Sequence, residues 1–249
     1  MIVRAAIVAG LLAMPAAHAE HLDQRTQETR TVLYYHVPDE ALARVLPQGW
    51  HPAAIIAGPA RGANLTVNLS EQISATTADG KVAGDARGRA LTLSARVRDD
   101  ASADDRAMVL FGITTGSDAP GPYGTHHLGT VALDRMAVTG STGPTQAAEH
   151  WDAKTGDGDR FELTLRWTRG DVVPGHVDQQ TRSSLHPKFY RIYKIDSFSD
   201  VVRSEAGQVD HAGTVQAGSA GRVADLLKGA DRLVAVVSVP IYEREIWLP

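Results

Sequence analysis

The sequence predicts an α+β fold dominated by antiparallel β-structure, either a closed barrel or cone or a double sheet, with two short helices. Several segments alternate apolar and polar residues with a period of two, most cleanly Leu65, Val67 and Leu69 against Asn64, Thr66, Asn68 and Ser70. Only two stretches space their apolar residues as a helix does. The links between strand-like runs are of hairpin length, and nothing alternates strand with long helix as a parallel sheet requires. With 249 residues and 43% hydrophobic content the chain can bury one ordinary core. No internal repeat or Gly/Ser-rich linker divides it. A net charge of -4 leaves no basic excess to neutralise phosphates, which argues against nucleic acid or an anionic membrane as partner.

Residues 1–19 combine one basic residue, a short apolar core and Ala17-His18-Ala19 in the small-x-small arrangement of a cleavage site. They read as a secretory signal peptide, with residues 20–249 as one mature domain and the periplasm as its destination. The apolar run is shorter than the ~20 residues of a spanning helix. Without cysteine there is no disulfide framework and no thiolate chemistry. The polar segment 20–28 reads as a loose lead-in. Residues 30–37, rich in β-branched and aromatic side chains, predict a strand. Pro38-Asp39 opens a predicted helix over 40–46, with Leu42, Val45 and Leu46 on one face, Pro47 and Gly49 beyond its end, and Trp50 following as a core anchor.

Period-two alternation predicts strands over 64–71, 91–98 and 160–168, the last placing Phe161, Leu163, Leu165 and Trp167 inward. Apolar runs at 107–113 and 130–138 predict the arms of a long hairpin, joined by a Gly/Pro/His segment over 117–129. Residues 169–187 read as a mobile segment. Residues 188–195, apolar on both faces, read as a deeply set strand. A second helix is predicted over 220–228, closed by Gly229, and the segment 232–248 reads as one or two strands broken or bulged at Pro240.

Three stretches together resemble the acetoacetate decarboxylase-like superfamily. They are the strand and helix over 32–49, ending in Leu46-Pro47-Gln48-Gly49; the strand ending in Ser70-Glu71; and the closing stretch 240–249. The resemblance implies a β-barrel or cone enclosing a small polar pocket, with Glu71 facing it. In the decarboxylases a pocket lysine forms a Schiff base with a β-keto acid, a chemistry that needs a desolvated neutral amine. The family's paired lysines belong to a segment corresponding to residues 123–135, which contains no lysine here. This departure counts against Schiff-base decarboxylation, while relatives without it keep the pocket for other C–C bond or dehydration chemistry.

The candidate catalytic residues are His126, His127, Glu71 and Lys194. An imidazole titrates near neutral pH and suits general acid or base work, but neighbours on an extended backbone point to opposite sides, so at most one of His126 and His127 should face a pocket. Lys194, flanked by Tyr193 and Ile195, is the alternative amine, against the commoner reading of a lysine reaching for solvent. Arg135 interrupts an apolar run and is a candidate fork for a substrate carboxylate, or else a structural ion-pair partner. Tyr123, His36 and Tyr35 complete the candidate binding wall. No metal-ligand spacing, nucleophile elbow, phosphate loop or dinucleotide fingerprint occurs, so neither metal nor cofactor is expected.

These features lead to the expectation of an exported, cofactor-independent lyase-type enzyme acting on a small carboxylate- or carbonyl-bearing compound. The alternative is a non-catalytic periplasmic barrel that binds a small organic acid or aromatic ligand. Either could form a homo-oligomer.

Overall fold

Alternation of side chains builds the molecule as a wall with two different faces. The computed structural model describes residues 20–84, 87–102, 104–230 and 232–249; the predicted leader lies outside them. In chain order the elements are β1 (His21–His36), α1 (Asp39–Ala43), β2 (Trp50–Pro52), β3 (Leu65–Thr77), β4 (Gly88–Asp99), β5 (Arg106–Thr114), β6 (His126–Val138) and β7 (Gln146–Thr155). There follow β8 (Arg160–Thr168), β9 (Val172–Ser183), β10 (Tyr190–Ser204), β11 (Val209–Asp210), β12 (Ala212–Ala220), α2 (Gly221–Leu227) and β13 (Arg232–Leu248).

Seven strands follow one another in a ring-like arrangement, β1-β3-β4-β5-β9-β10-β13, with β13 pairing back onto β1. The remaining long strands, β6, β7, β8 and β12, extend from β5 as a second layer. Pairing is antiparallel except where β5 meets β6 and β9. On β3 and β4 the buried residues Leu65, Val67, Leu69, Leu91 and Leu93 point outward from the ring. With Leu33 of β1, all of these but Leu65 pack against Trp151 of β7, against Phe161, Leu163 and Leu165 of β8, and against Val223 of α2, forming the largest core cluster. Closing these side chains away from water is the main stabilising term of the fold. A smaller cluster, Val37, Leu42, Leu65, Ala95, Val97 and Met108, seats α1.

The predicted hairpin over 106–139 is corrected by the structure. β5 and β6 run parallel where they pair, over Gly112–Thr114 and His126–Leu128, because β5 already gives one edge to β4 and the linking segment carries the chain round to start the second layer. The predicted lead-in 20–28 is strand from His21 onward, paired with both β13 and β3. The segment predicted as mobile contains β9, paired along its length with β10. The first helix is shorter than expected, whereas the second ends before Gly229, whose φ of +82° suits a residue without a Cβ. At Pro240 the register of β13 shifts against both neighbours, between the pairs Arg30/Val239 and Glu28/Tyr242 on one side and Asp200/Ser238 and Phe198/Ile241 on the other. This is the predicted bulge, and it lets a residue without an N–H stay inside a central strand.

Candidate active site

The inner face of the ring encloses a cavity of about 390 Å³. Its wall is made by the alternate residues of strands whose other residues form the core: Gln24, Thr26, Glu28 and Arg30 on β1, Asn68, Ser70 and Gln72 on β3, Thr92 and Ser94 on β4. Its far side is completed by Tyr193 of β10 and by Tyr242 and Arg244 of β13. The segment 115–125 contributes Asp118, Gly121 and Tyr123, and β6 contributes His126.

The wall holds a charged triad. Glu28 receives Nε of Arg30 at 2.8 Å on one oxygen and Nη2 of Arg244 at 2.8 Å on the other, and only 4% of its side chain is exposed. Thr26 donates its hydroxyl to the same carboxylate at 3.1 Å. Burial alone would raise the Glu28 pKa, but the two guanidiniums outweigh it and hold the carboxyl down to about 2. Arg30 lies over the Tyr242 ring at 3.5 Å and Arg244 over the Tyr193 ring at 4.7 Å, so aromatic faces cover the cations. Two guanidiniums therefore share one carboxylate, and one positive charge is left without a counterion among the described residues. The phenols do not supply one: burial pushes Tyr34 up to about 12 and raises Tyr242 and Tyr123. The Tyr123 and Tyr193 hydroxyls hydrogen-bond to each other.

His126 lies at the start of β6 with its ring over Gly112, where a Cβ would come within 2.3 Å of the imidazole. Its Nε2 is 3.1 Å from the Thr92 hydroxyl, while its Nδ1 is buried without a hydrogen-bond partner among the described residues. Burial lowers its pKa; Asp118 opposes that and His127 adds to it. The imidazole is thus a neutral base held in the cavity wall. His127 points the other way, stacking on Phe111 with ring centroids 5.2 Å apart and meeting Nη1 of Arg222 at 2.9 Å. Arg222 is itself held by Asp159.

Of the other candidates from the sequence, Tyr123 lines the cavity and the rest do not. Glu71 and Arg135 do meet, at 3.1 Å, but on the outer face, together with Arg89 and the buried Glu149. The reason is parity: Glu71 shares its face with Leu65, Val67 and Leu69, so the strand that presents Asn68 and Ser70 inward must present Glu71 outward. Glu149 in turn accepts from the Trp151 indole at 2.9 Å and from the Thr31 hydroxyl, which makes this an ion-pair network of the core margin. Lys194 lies on the face of β10 opposite Tyr193, with its ammonium 4.1 Å from the centre of the Trp247 ring. Tyr35 packs into the core and His36 ends β1 outside the cavity wall. None of the chain's five lysines lines the cavity.

Glu28, Arg30 and Arg244 are the residues that sequence reasoning missed. Their signal was present as Gln24, Thr26, Glu28, Arg30, Val32 and Tyr34 at alternate positions, and as Tyr242 and Arg244 in a strand otherwise rich in apolar residues. Polar residues on both faces made 20–28 look unstructured, although one of those faces lines a polar cavity.

No protein-family model matches the sequence, and no curated protein matches it. Solved structures do. An acetoacetate decarboxylase-like enzyme from Sphingomonas wittichii RW1 superposes with a TM-score of 0.58 at 16% identity, over 96% of this chain and 96% of that one. The enduracididine biosynthesis enzyme MppR complexed with pyruvate superposes at 0.55 and 12% identity, over 94% of this chain and 90% of that one. Acetoacetate decarboxylase from Legionella pneumophila gives 0.53 at 11% identity, over 99% of this chain and 96% of that one. The chain has the acetoacetate decarboxylase-like fold.

Proposed function

We propose that this chain is a cofactor-independent enzyme of lyase type, exported to the periplasm, which performs acid/base chemistry on a small carboxylate- or carbonyl-bearing compound in the cavity. The observation that carries the reading is the triad: Arg30 and Arg244 around one Glu28 leave a buried positive charge that a substrate carboxylate would neutralise. Planar guanidiniums in a low-dielectric wall favour a carboxylate over a neutral analogue.

With the Thr92 hydroxyl accepting from Nε2–H, Nδ1 of His126 is the basic nitrogen. It takes a proton from the carbon next to the substrate carbonyl. The C–H electron pair becomes the new double bond, the bond to a leaving group on the next carbon breaks, and the departing group carries away the proton from the imidazolium. Of the hydrogen-bonded Tyr123–Tyr193 pair, one hydroxyl donates to the other and the remaining O–H is suited to donate to the enolate oxygen that develops. Since no lysine lines the cavity, no Schiff base is part of this scheme.

The same absence of an amine supports a second reading, a binding protein for small organic acids. Turnover of a panel of 3-hydroxy and 2-oxo acids, measured with the wild type and His126→Gln, separates the two. The enzyme reading expects conversion by the wild type, loss of that conversion in the variant, and retained ligand-induced thermal stabilisation in both. Borohydride should trap no adduct; a labelled Lys194 would overturn the scheme, and stabilisation without any conversion would favour the binder.

A further inference from the structure

Besides Arg30 and Arg244, the cavity lining includes Arg89, whose guanidinium turns outward to Glu71, and Arg191, which has no part in that scheme. Arg191 of β10 lines the cavity, with its side chain 17% exposed. Its Nη2 reaches Asp23 at 3.3 Å, while its Nε is buried with no hydrogen-bond partner among the described residues. Asp23 is itself 32% exposed, so solvent screens that pair and weakens its hold on the guanidinium. Ile195 faces Arg244 across the β10–β13 ladder, which puts Arg191 four residues further along β10, roughly 13 Å at the usual strand rise. The Tyr123 phenol lies within electrostatic reach of both Arg244 and Arg191. The Tyr123–Tyr193 hydroxyl pair thus lies within reach of both cations. The acidic residues of the lining are only Glu28, held in the triad, and Asp118, whose charge acts on His126.

Resting on the reading of the triad as a carboxylate anchor, we propose that the cavity is built for a dicarboxylate: one carboxylate on Arg30 and Arg244, the other on Arg191, with the reacting carbons between them beside the two phenols. A buried donor left empty costs free energy that a second carboxylate recovers, whereas a methyl group in its place does not. Arg191 is on this view the residue that sets specificity.

Calorimetric titration of the full chain with glutarate and with butyrate, matched probes differing by one carboxylate, tests this. The expected result is glutarate binding about tenfold or more tighter, the change given by one charge-assisted hydrogen bond. In Arg191→Gln the glutarate/butyrate affinity ratio should fall towards one, and Arg191→Lys should restore part of it. A ratio near one in the wild type with butyrate still bound, or a ratio untouched by Arg191→Gln, would overturn the dicarboxylate proposal and leave the anchor reading standing. Failure of both probes to bind the wild type, or unchanged binding of both in Arg30→Gln, would remove the anchor itself and this inference with it.

Discussion

The two faces of β3 belong to one strand and do opposite work. Leu65, Val67 and Leu69 face outward and are fully buried, Val67 and Leu69 under the second layer and Leu65 in the cluster that seats α1, while Asn68, Ser70 and Gln72 face inward and line a cavity. The outward face holds the wall up and the inward face is left underpacked and polar, so stability and binding are separable along a single strand. His126 and His127 repeat the contrast at the start of β6: one is a neutral imidazole in the cavity, the other a packing residue between Phe111 and Arg222.

Substitutions on either face sharpen or break this division. The largest loss should come from the outer core: Trp151→Ala removes a fully buried indole and its hydrogen bond to Glu149, and should cost about 4 kcal/mol in urea denaturation. Glu28→Gln is the inner-face exception, because it leaves two guanidiniums facing each other without their carboxylate; a loss of about 3 kcal/mol is expected in the same measurement. Its pH signature follows from sign. A carboxyl held near 2 instead of its ordinary 4.5 contributes stability that is complete above pH 4.5 and disappears as pH falls towards 2, and this acid-labile part should be missing from the variant.

Gly112→Ala should cost about 2 kcal/mol, since the new methyl group occupies the space of the His126 ring. It should also move the His126 NMR titration back towards the ordinary imidazole range as the ring is pushed out of the wall. In the wild type that titration should lie below 6.5, with the sign opposite to a paired histidine: burial of the neutral form contributes stability above pH 6.5, which is lost as pH falls below it. The smallest effect belongs to Asn68→Leu. Its Oδ1 is buried without a partner among the described residues, so replacing it should leave the melting temperature unchanged or slightly raised while weakening ligand binding. A large loss of stability there would break the division between the faces.

The outer face was legible in the sequence because its apolar residues recur with period two against polar ones, at Leu65–Leu69, Leu91–Leu93 and Phe161–Trp167. The inner face was not, because a strand bordering a polar cavity loses the contrast that alternation depends on, so Gln24 to Arg30 read as a loose lead-in; β9 read as a mobile segment because its first half, with Pro174, Gly175 and His176, is exposed to solvent. Glu71 was assigned inward through a resemblance between short motifs, although counting from Leu69 puts it outward. The parallel contact between β5 and β6 has no local signal, since it depends on β4 having already taken the edge that a hairpin would use.

The pairing of β1 with β13 also bears on how the wall is assembled. The segment 232–248 is the slat between β1 and β10, so neither of those strands can complete its hydrogen bonding on that side until this stretch has been synthesised and has travelled back to the beginning. Closure over such a separation is entropically costly and slow. Clipping the chain before residue 232 should therefore yield two bare strand edges prone to aggregation, not a smaller folded body.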